Sequence, residues 1–316
     1  MQSRALGASG LSIAPIVLGG NVFGWTIDEK QSFEVLDAFT GHGFNCIDTA
    51  NVYSVWKPGN HGGESETILG SWFKHSGKRD KAVLITKVGM PMAPDSKGLR
   101  KNYILEQVEN SLRRLQTDYI DLYFSHKVDK DTPIEETLEA FGLLVDQGKV
   151  RAIGASNYRG PALAAAIESA EKNKFVPYTV LQPKYNLYDR QDYEEDLAPV
   201  AARYKLGVIP YSSLASGFLT GKYKKLEDTK GAKRERRVAE YFTPRGENIL
   251  KALDELSADL GVTQASLALA WLLAQPTITA PIASATKTSQ LESMFVAADL
   301  KLDKATLDKL NEACAY

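Results

Sequence analysis

Short apolar stretches and amphipathic segments alternate along most of the chain. Apolar stretches of strand length lie at residues 15–20, 46–50, 82–87, 119–126, 150–156, 179–185, 208–212 and 278–284. Segments with helical spacing follow them, at residues 33–39, 64–74, 102–115, 134–146, 161–171, 193–204, 248–260 and 289–297. Strands that are apolar on both faces and alternate with helices are typical of parallel sheets. The pattern therefore predicts eight strand–helix units.

Eight such units favour a closed (β/α)₈ barrel, which typically needs roughly 250 residues. No linker rich in Pro, Gly or Ser separates two halves, so we predict a single domain over residues 1–316. The main alternative is a doubly wound sheet, which would carry a Gly-x-Gly-x-x-Gly turn if it bound a dinucleotide. The segment GGNVFG at residues 19–24 lacks that spacing. A Gly/Ser turn at residues 7–10 predicts an N-terminal β-hairpin, and residues 263–274 and 304–313 predict additional helices.

Charge and cysteine content exclude several classes of protein. The 38 Lys and Arg residues nearly balance the 39 Asp and Glu residues, which argues against a general binder of nucleic acid or membrane surfaces. The two cysteines, Cys46 and Cys314, give neither a disulfide framework nor metal-ligand spacing. No apolar run reaches the ~18 residues of a membrane span. We therefore expect a soluble, cytoplasmic protein without a metal site, whose partner is a small molecule; the oligomeric state is left open.

Ionisable side chains follow three successive predicted strands. Asp48, Lys87 and His126 end the second, third and fourth strands, and Tyr53 lies on the second loop. Each has an ordinary structural explanation as a turn cap, a solvated lysine or a hydrogen-bonded histidine. In a barrel, however, catalytic side chains lie at the carboxyl ends of the strands. The arrival of these residues on successive strand ends therefore favours one shared site.

The chemistry of this set is proton delivery to a carbonyl oxygen. A tyrosine with a pKa near ~10 is a poor acid at neutral pH, so we predict that cationic Lys87 lowers the pKa of Tyr53 while Asp48 keeps the lysine charged. His126 would donate a hydrogen bond to the substrate oxygen. No side chain supplies a hydride, which requires a cofactor. An alternative makes Lys87 a Schiff-base nucleophile in an aldolase-like barrel.

The second half of the chain offers groups suited to such a cofactor. Ser156, Asn157 and Gln182 could bind a carboxamide, and Tyr211 could stack on a flat ring. The segment SSLASGFLTGK, residues 212–222, supplies backbone amides and Lys222 for a pyrophosphate. The connection at residues 213–243 far exceeds the usual ~4–6 residues and is predicted to be functional or mobile. We interpret its charged stretch, residues 230–237, as solvated.

Five segments resemble the aldo-keto reductase superfamily, most closely its bacterial and fungal members. They are FNCIDTANVY at residues 44–53, GESE at 63–66, DYIDLY at 118–123, GKVRAIGASN at 148–157 and YSSLASG at 211–217. The resemblance implies a (β/α)₈ barrel that reduces aldehydes or ketones with a nicotinamide cofactor, usually NADPH. It implies a catalytic tetrad of Asp48, Tyr53, Lys87 and His126. The cofactor contacts that it implies are Gly20, Asn21, Ser156, Asn157, Gln182, Tyr211, Ser212, Leu214, Ser216, Gly217, Leu219 and Lys222.

Two segments depart from that family pattern. In the adenine-site segment, Met294 replaces the usual Asn, and Ser284 or Thr286 occupies the usual basic position. Lys287 is displaced by one residue and is predicted to substitute for the missing cation, while Gln290 matches; NADH therefore stays an alternative to NADPH. The loop at residues 54–62 is longer than is usual, and its Trp56, together with Trp25 on the first loop, is predicted to line a substrate pocket.

Two functions on this barrel stay open at this point. The leading prediction is an NADPH-dependent carbonyl reductase with Tyr53 as proton donor. The alternative is a non-catalytic, NADPH-binding regulatory subunit, because channel-associated members of the superfamily also keep this fold. The substrate, the physiological direction and the oligomeric state do not follow from the sequence.

Overall fold

A short hairpin opens the chain and closes the floor of a barrel. The computed structural model describes residues 2–93 and 95–316. Strands β1 (Arg4–Ala5) and β2 (Ser12–Ile13) pair antiparallel, which confirms the predicted hairpin. Gly7 lies in the turn of the hairpin and has a φ of +56°. It is so close to Gly207 that a Cβ atom added at Gly7 would be 2.2 Å from the Gly207 nitrogen. Only glycine fits such a turn without strain, so the hairpin can seal the start of a barrel strand.

Eight parallel strands form the barrel that the sequence predicts. They are β3 (Val17–Gly19), β4 (Cys46–Asp48), β5 (Val83–Val88), β6 (Ile120–Ser125), β7 (Val150–Ser156), β8 (Val180–Gln182), β9 (Gly207–Val208) and β10 (Ile282–Ala283), in the order β10-β3-β4-β5-β6-β7-β8-β9. Backbone hydrogen bonds close the ring, from Thr279 to Val208 and from Ile282 to Pro210, both at 2.8 Å. The fold is therefore a (β/α)₈ barrel.

The last three strands are shorter than the apolar runs that predict them. Each run contains a proline, namely Pro183, Pro210 and Pro281. Because proline has no backbone N–H, it interrupts the ladder of hydrogen bonds between strands. Strand β8 ends directly before Pro183, and β10 begins directly after Pro281.

Helices surround the barrel and agree closely with the amphipathic segments. They are α1 (Glu29–Gly41), α2 (Glu64–Ser76), α3 (Lys101–Leu115), α4 (Ile134–Asp146), α5 (Gly160–Asn173), α6 (Ala198–Arg203), α7 (Glu235–Ala239), α8 (Pro244–Leu260), α9 (Gln264–Leu273), α10 (Leu291–Asp299) and α11 (Lys304–Ala313). A capping box at Asp28 and Gln31 begins α1, and Gly261 ends α8 in the left-handed conformation. The predicted helix at residues 193–204 differs, because a π-helix (Asp192–Leu197) precedes α6. Helix α7 lies in the long connection and was not predicted.

Two apolar cores position the strands. One fills the barrel interior and includes Cys46, Ile85, Phe124, Val180 and Ile209. The larger core lies between the sheet and the helices, where Trp72 and Trp271 are fully buried. The interior residues fix the register of every strand, because side chains two positions apart point to the same face.

Across residues 2–93 and 95–316, no single helix is both long and apolar enough to cross a membrane. Helices α8 and α9 meet those criteria only when taken together, and a 97° bend separates them.

Candidate active site

Strand alternation brings the predicted catalytic side chains together at the carboxyl end of the barrel. Cys46, Ile85 and Phe124 point into the interior. The residues two positions further on are Asp48, Lys87 and His126, so they share the same interior face at the next level up. The same rule puts Gln182 above Val180 and Tyr211 above Ile209. The apolar interior therefore ends in a polar layer at the barrel mouth.

Lys87 lies at the centre of that layer. Its ammonium donates to Asp48 Oδ2 at 2.7 Å, to the Thr49 carbonyl at 2.8 Å and to the Tyr53 hydroxyl at 2.9 Å. These three acceptors use all three of its protons. The side chain has no exposed surface, and Asp48 is only 2% exposed. The ion pair is therefore held in one geometry, with Tyr53 attached to it.

Asp48 links the two sides of the mouth. Its Oδ2 accepts from Lys87 and, at 3.2 Å, from the Tyr53 hydroxyl, while its Oδ1 accepts from the Gln182 side-chain amide at 2.8 Å. A buried carboxylate is stable only when its oxygens are paired in this way. The contact to Gln182 fixes the position of an amide on the opposite wall.

The pKa of Tyr53 moves in the opposite direction from the one predicted. Burial raises it well above the ordinary value, and the neighbouring Asp48 carboxylate adds to the increase. Burial also lowers the pKa of Lys87, although Asp48 opposes that effect. The net lowering of the Tyr53 pKa that was predicted is therefore wrong, because burial and the Asp48 carboxylate outweigh the effect of the ammonium. Tyr53 is a neutral phenol with a firmly held proton.

His126 faces Tyr53 across the mouth, with 6.0 Å between the ring centres. Burial lowers the pKa of this histidine well below its ordinary value, and the positive charges of Lys87 and Lys127 lower it further. The imidazole is therefore neutral near pH 7. Its Nδ1 is buried without a partner among the described residues. A neutral imidazole keeps one N–H group, which can donate a hydrogen bond to a substrate oxygen.

The geometry argues against Lys87 as a Schiff-base nucleophile. Such a lysine must present an uncharged amine to a carbonyl carbon. Here the side chain has no exposed surface, and its three protons are all donated to protein oxygens. The aldolase-like alternative is therefore not supported.

A cavity of about 880 Å³ opens above this layer and extends across the barrel mouth. Asp48, Tyr53 and His126 line it, while Lys87 lies beneath them. Of the predicted cofactor residues, those that line the cavity are Asn21, Ser156, Asn157, Gln182, Tyr211, Ser212, Leu214, Ser216, Gly217, Lys222, Ser284, Thr286 and Gln290.

Comparison with known proteins identifies the family of this chain. The model of the Aldo/keto reductase family matches residues 15–315. The chain belongs to this family. An uncharacterized oxidoreductase of Bacillus subtilis, YrpG, is 38% identical over 99% of this chain and 95% of its own length. The B. subtilis aldo-keto reductase YhdN is 36% identical over 91% and 84%, respectively.

The relatives of this aldo/keto reductase include proteins named for a different role. A probable voltage-gated potassium channel subunit beta of Arabidopsis thaliana is 33% identical over 99% of this chain and 96% of its own length. Members of the family are generally NAD(P)H-dependent oxidoreductases, and the family binds a nicotinamide cofactor. The comparisons therefore show an oxidoreductase family but no substrate.

Four of the predicted binding residues lie off the cavity surface. Gly20 and Leu219 are buried in the core, where Gly20 accepts a hydrogen bond from the Ser65 hydroxyl. Lys287 is exposed and does not line the cavity. Trp25 lies one layer back and packs edge-on against Trp56, with 5.6 Å between ring centres.

The loop after β9 combines a left-handed backbone with a nearby lysine. Ser212, Ala215, Ser216 and Gly217 all have φ values between 46° and 104°. Two of their backbone N–H groups are used within the loop, because Ala215 donates to the Ser212 carbonyl at 2.7 Å and Gly217 donates to the Leu214 carbonyl at 2.8 Å. The group that favours a phosphate here is therefore the Lys222 cation. The Lys222 ammonium lies over Gly217, at 3.0 Å from where a Cβ atom would be. Among the described residues, no carboxylate lies within 4.0 Å of it. The cavity therefore fits the cofactor that the family binds.

Several residues that line the cavity were not predicted from the sequence. They include Gly19, Thr26, Met90, Lys233 and Arg234. Gly19 was missed by one position, and Met90 lies in the loop after β5, just beyond Lys87. Lys233 and Arg234 were interpreted as part of a solvated stretch, since nothing in the charge pattern shows that the loop folds back over the barrel mouth.

Proposed function

We propose that this protein is a carbonyl reductase that uses NADPH to convert an aldehyde or ketone to an alcohol. The observation that carries the proposal is the position of Tyr53: its hydroxyl contacts both Lys87 and Asp48 and lines the cavity beside neutral His126. That arrangement is suited to delivering a proton to a carbonyl oxygen. Oxidation of NADPH in the presence of aldehydes tests the proposal.

Each residue of the proposed tetrad has a distinct task. Tyr53 donates its proton to the carbonyl oxygen as negative charge develops there. Lys87, 2.9 Å from the phenol oxygen, stabilises the phenolate that remains. Asp48 holds the ammonium in place at 2.7 Å. His126 donates a hydrogen bond to the same substrate oxygen and orients it.

The cofactor supplies the hydride when bound. We propose that Ser156, Asn157, Gln182 and Tyr211 hold its nicotinamide end, and that Lys222 and the left-handed loop hold its pyrophosphate. At the adenosine end the lining consists of neutral side chains such as Thr286, Gln290, Ser293 and Met294. Among the described lining residues at that end there is no cation for a 2′-phosphate, so we propose that the site admits NADH as well as NADPH.

We expect reduction to be independent of pH between about pH 7 and about pH 9.5. The reason is that the pKa of Tyr53 is raised above ~10 and that of His126 is lowered below ~6.5, so neither residue changes its charge in that interval. As pH rises, the donor form of Tyr53 is lost only above its raised pKa. The measurement is kcat/KM for an aldehyde at saturating NADPH. A decline with a midpoint near pH 8 would contradict the proposed state of Tyr53.

We expect Lys222→Ala to raise the Kd for NADPH by about 10-fold to 100-fold, the cost of one lost charge-assisted hydrogen bond. Calorimetric titration with NADPH measures it. Lys230→Ala is the matched control, because Lys230 is exposed on the same connection and lies off the cavity. Equal affinities in the Lys222 and Lys230 variants would refute the pyrophosphate assignment.

A second candidate is a regulatory subunit that binds the cofactor without turning over a substrate. The observation in its favour is the 33% identity to the probable potassium channel subunit beta of A. thaliana. The geometry of Tyr53 favours the reductase, because a binding role alone does not require a phenol held by a buried ion pair. In either role, we propose a single domain over residues 1–316 that works in the cytoplasm on small molecules.

A further inference from the structure

The loop at residues 54–62 carries an exposed indole into the cavity. Among the described residues, four large apolar side chains are exposed to solvent, namely Trp56, Leu226, Leu260 and Tyr316. Of these four, Trp56 alone lines the cavity, and it is 45% exposed. Exposure of an indole to water is unfavourable, whereas burial against an apolar group stabilises it. The open indole is therefore a candidate contact for a substrate.

Trp56 lies directly beside the proposed proton donor. Its ring centre is 6.0 Å from that of Tyr53, and the ring centre of Tyr53 is 6.0 Å from that of His126. Both separations lie within the range of about 4.5–7 Å over which aromatic rings interact. When Tyr53 and His126 bind a carbonyl oxygen, the indole therefore meets the group attached to the carbonyl carbon rather than a distant part of the substrate.

Hydrogen bonds hold this loop against the loop after β3. The Asn60 side-chain amide donates to the Gly24 carbonyl at 3.1 Å and to the Ser54 carbonyl at 3.0 Å. The buried Ser54 hydroxyl donates to the Phe23 carbonyl at 2.7 Å. Ser54 and Asn60 lie on either side of Trp56 in the chain, so these bonds fix the backbone that carries the indole. A wall that is fixed before a substrate binds lowers the entropy cost of binding.

Apolar groups support the indole and border it. Trp25, one layer back from the cavity, packs edge-on against Trp56, with 5.6 Å between ring centres. At the other end of the loop, a Cβ atom added at Gly62 would be 2.8 Å from the Met92 Cε atom, so the loop after β5 packs closely on it. Met90 of that loop lines the cavity. A rigid indole and a polarisable thioether stabilise a flat, apolar group better than a hydroxylated one.

We propose that Trp56 selects carbonyl compounds in which a flat aromatic ring is attached to the carbonyl carbon, and that Asn60 is a positioning residue for Trp56. The inference rests on the proposed reductase function and names the substrate class of that site. The aromatic ring stacks on the indole while the carbonyl oxygen accepts from Tyr53 and His126. The selecting residue lies on the loop that departs in length from the family pattern, outside the shared tetrad.

The test compares benzaldehyde with cyclohexanecarbaldehyde, which have the same carbon skeleton and differ in the flatness of the ring. The quantity measured is the ratio of their kcat/KM values at saturating NADPH in the wild type, Trp56→Ala, Trp56→Phe and Leu260→Ala. We expect Trp56→Ala to lower the ratio about 3-fold to 10-fold, the contribution of one aromatic pair beyond its buried area. Trp56→Phe should keep part of the ratio. Leu260→Ala should match the wild type, because Leu260 is similarly exposed but lies off the cavity.

Asn60→Asp tests the positioning role, because aspartate keeps the shape of asparagine and loses its N–H donors. We expect the ratio to fall toward that of Trp56→Ala, through a larger rise in KM for benzaldehyde than for cyclohexanecarbaldehyde. In Trp56→Ala, an unchanged ratio or an equal loss for the two aldehydes would overturn the selection, since a structural role affects both substrates alike. The same outcome in Asn60→Asp would overturn its positioning role.

A binding measurement separates failure of the selection from failure of the reductase function. If the wild type reduces neither aldehyde, the reductase function fails, and calorimetric titration of benzaldehyde into the protein with NADP⁺ decides the indole contact alone. Weaker binding to Trp56→Ala than to the wild type would support the contact. Binding that is equal in both proteins, or absent from both, would overturn it.

Discussion

Tyr53→Phe should lower kcat for carbonyl reduction by about 10²-fold to 10⁴-fold, the range that one positioned general acid contributes. The substitution removes the hydroxyl and keeps the ring that packs beside Trp56 and His126. Asp48 and Lys87 keep their direct contact at 2.7 Å, so the polar layer stays intact. The Kd for NADPH should change less than threefold, since Tyr53 is not among the proposed cofactor contacts.

The matched control is Tyr204→Phe. Tyr204 is a partly exposed tyrosine whose hydroxyl donates to Glu168, on the outside of the barrel. This variant loses the same atom as Tyr53→Phe at a position far from the cavity. Stopped-flow and steady-state assays on both variants give the comparison, and a Tyr53→Phe variant with the turnover of Tyr204→Phe would refute the assignment of the proton donor.

Lys87→Met should abolish most activity and also destabilise the fold. Removing the ammonium leaves the Asp48 carboxylate buried with its Gln182 and Tyr53 contacts alone. Breaking a buried ion pair in this way costs about 3–5 kcal/mol of unfolding free energy. The phenolate formed at Tyr53 also loses its adjacent positive charge, so kcat should fall by at least about 10²-fold. Denaturant titration and steady-state kinetics measure the two effects.

The double variant Asp48→Asn with Lys87→Met separates the two effects. It removes both charges, so much of the lost stability should return, because the uncompensated charge causes the loss. Activity should not return, because the double variant still lacks the ammonium beside Tyr53. Recovery of turnover together with stability would show that Lys87 has a structural role alone.

The barrel was predictable because its strands are apolar on both faces and its helices are amphipathic. The lengths of β8, β9 and β10 were overestimated. Proline counts as apolar in the sequence pattern, but it lacks the N–H group that a strand needs for pairing. The π-helix before α6 was also missed, because a six-residue segment is too short for its apolar pattern to distinguish i→i+5 from i→i+4 hydrogen bonding. Helix α7 depends on the path of the long connection, which no local pattern specifies.

The candidate site was predictable to the extent that it follows from strand register. The positions of Asp48, Lys87 and His126 follow from the interior residues two positions earlier. The direction of the Tyr53 pKa shift does not follow from strand register, because it depends on how deeply the phenol is buried. Arg234 was missed for a related reason: its contact with Trp25 joins two loops far apart in sequence.

The central claim is that the Tyr53 site reduces carbonyl compounds with a nicotinamide cofactor. The most direct measurement follows NADPH oxidation at saturating cofactor with a panel of charged and neutral aldehydes and ketones, and quantifies the alcohol formed. The account predicts one alcohol for each NADPH oxidised, at rates at least about 10²-fold above those of Tyr53→Phe. Tight NADPH binding with no alcohol from any carbonyl, at rates equal to those of Tyr53→Phe, would contradict it and favour the regulatory subunit.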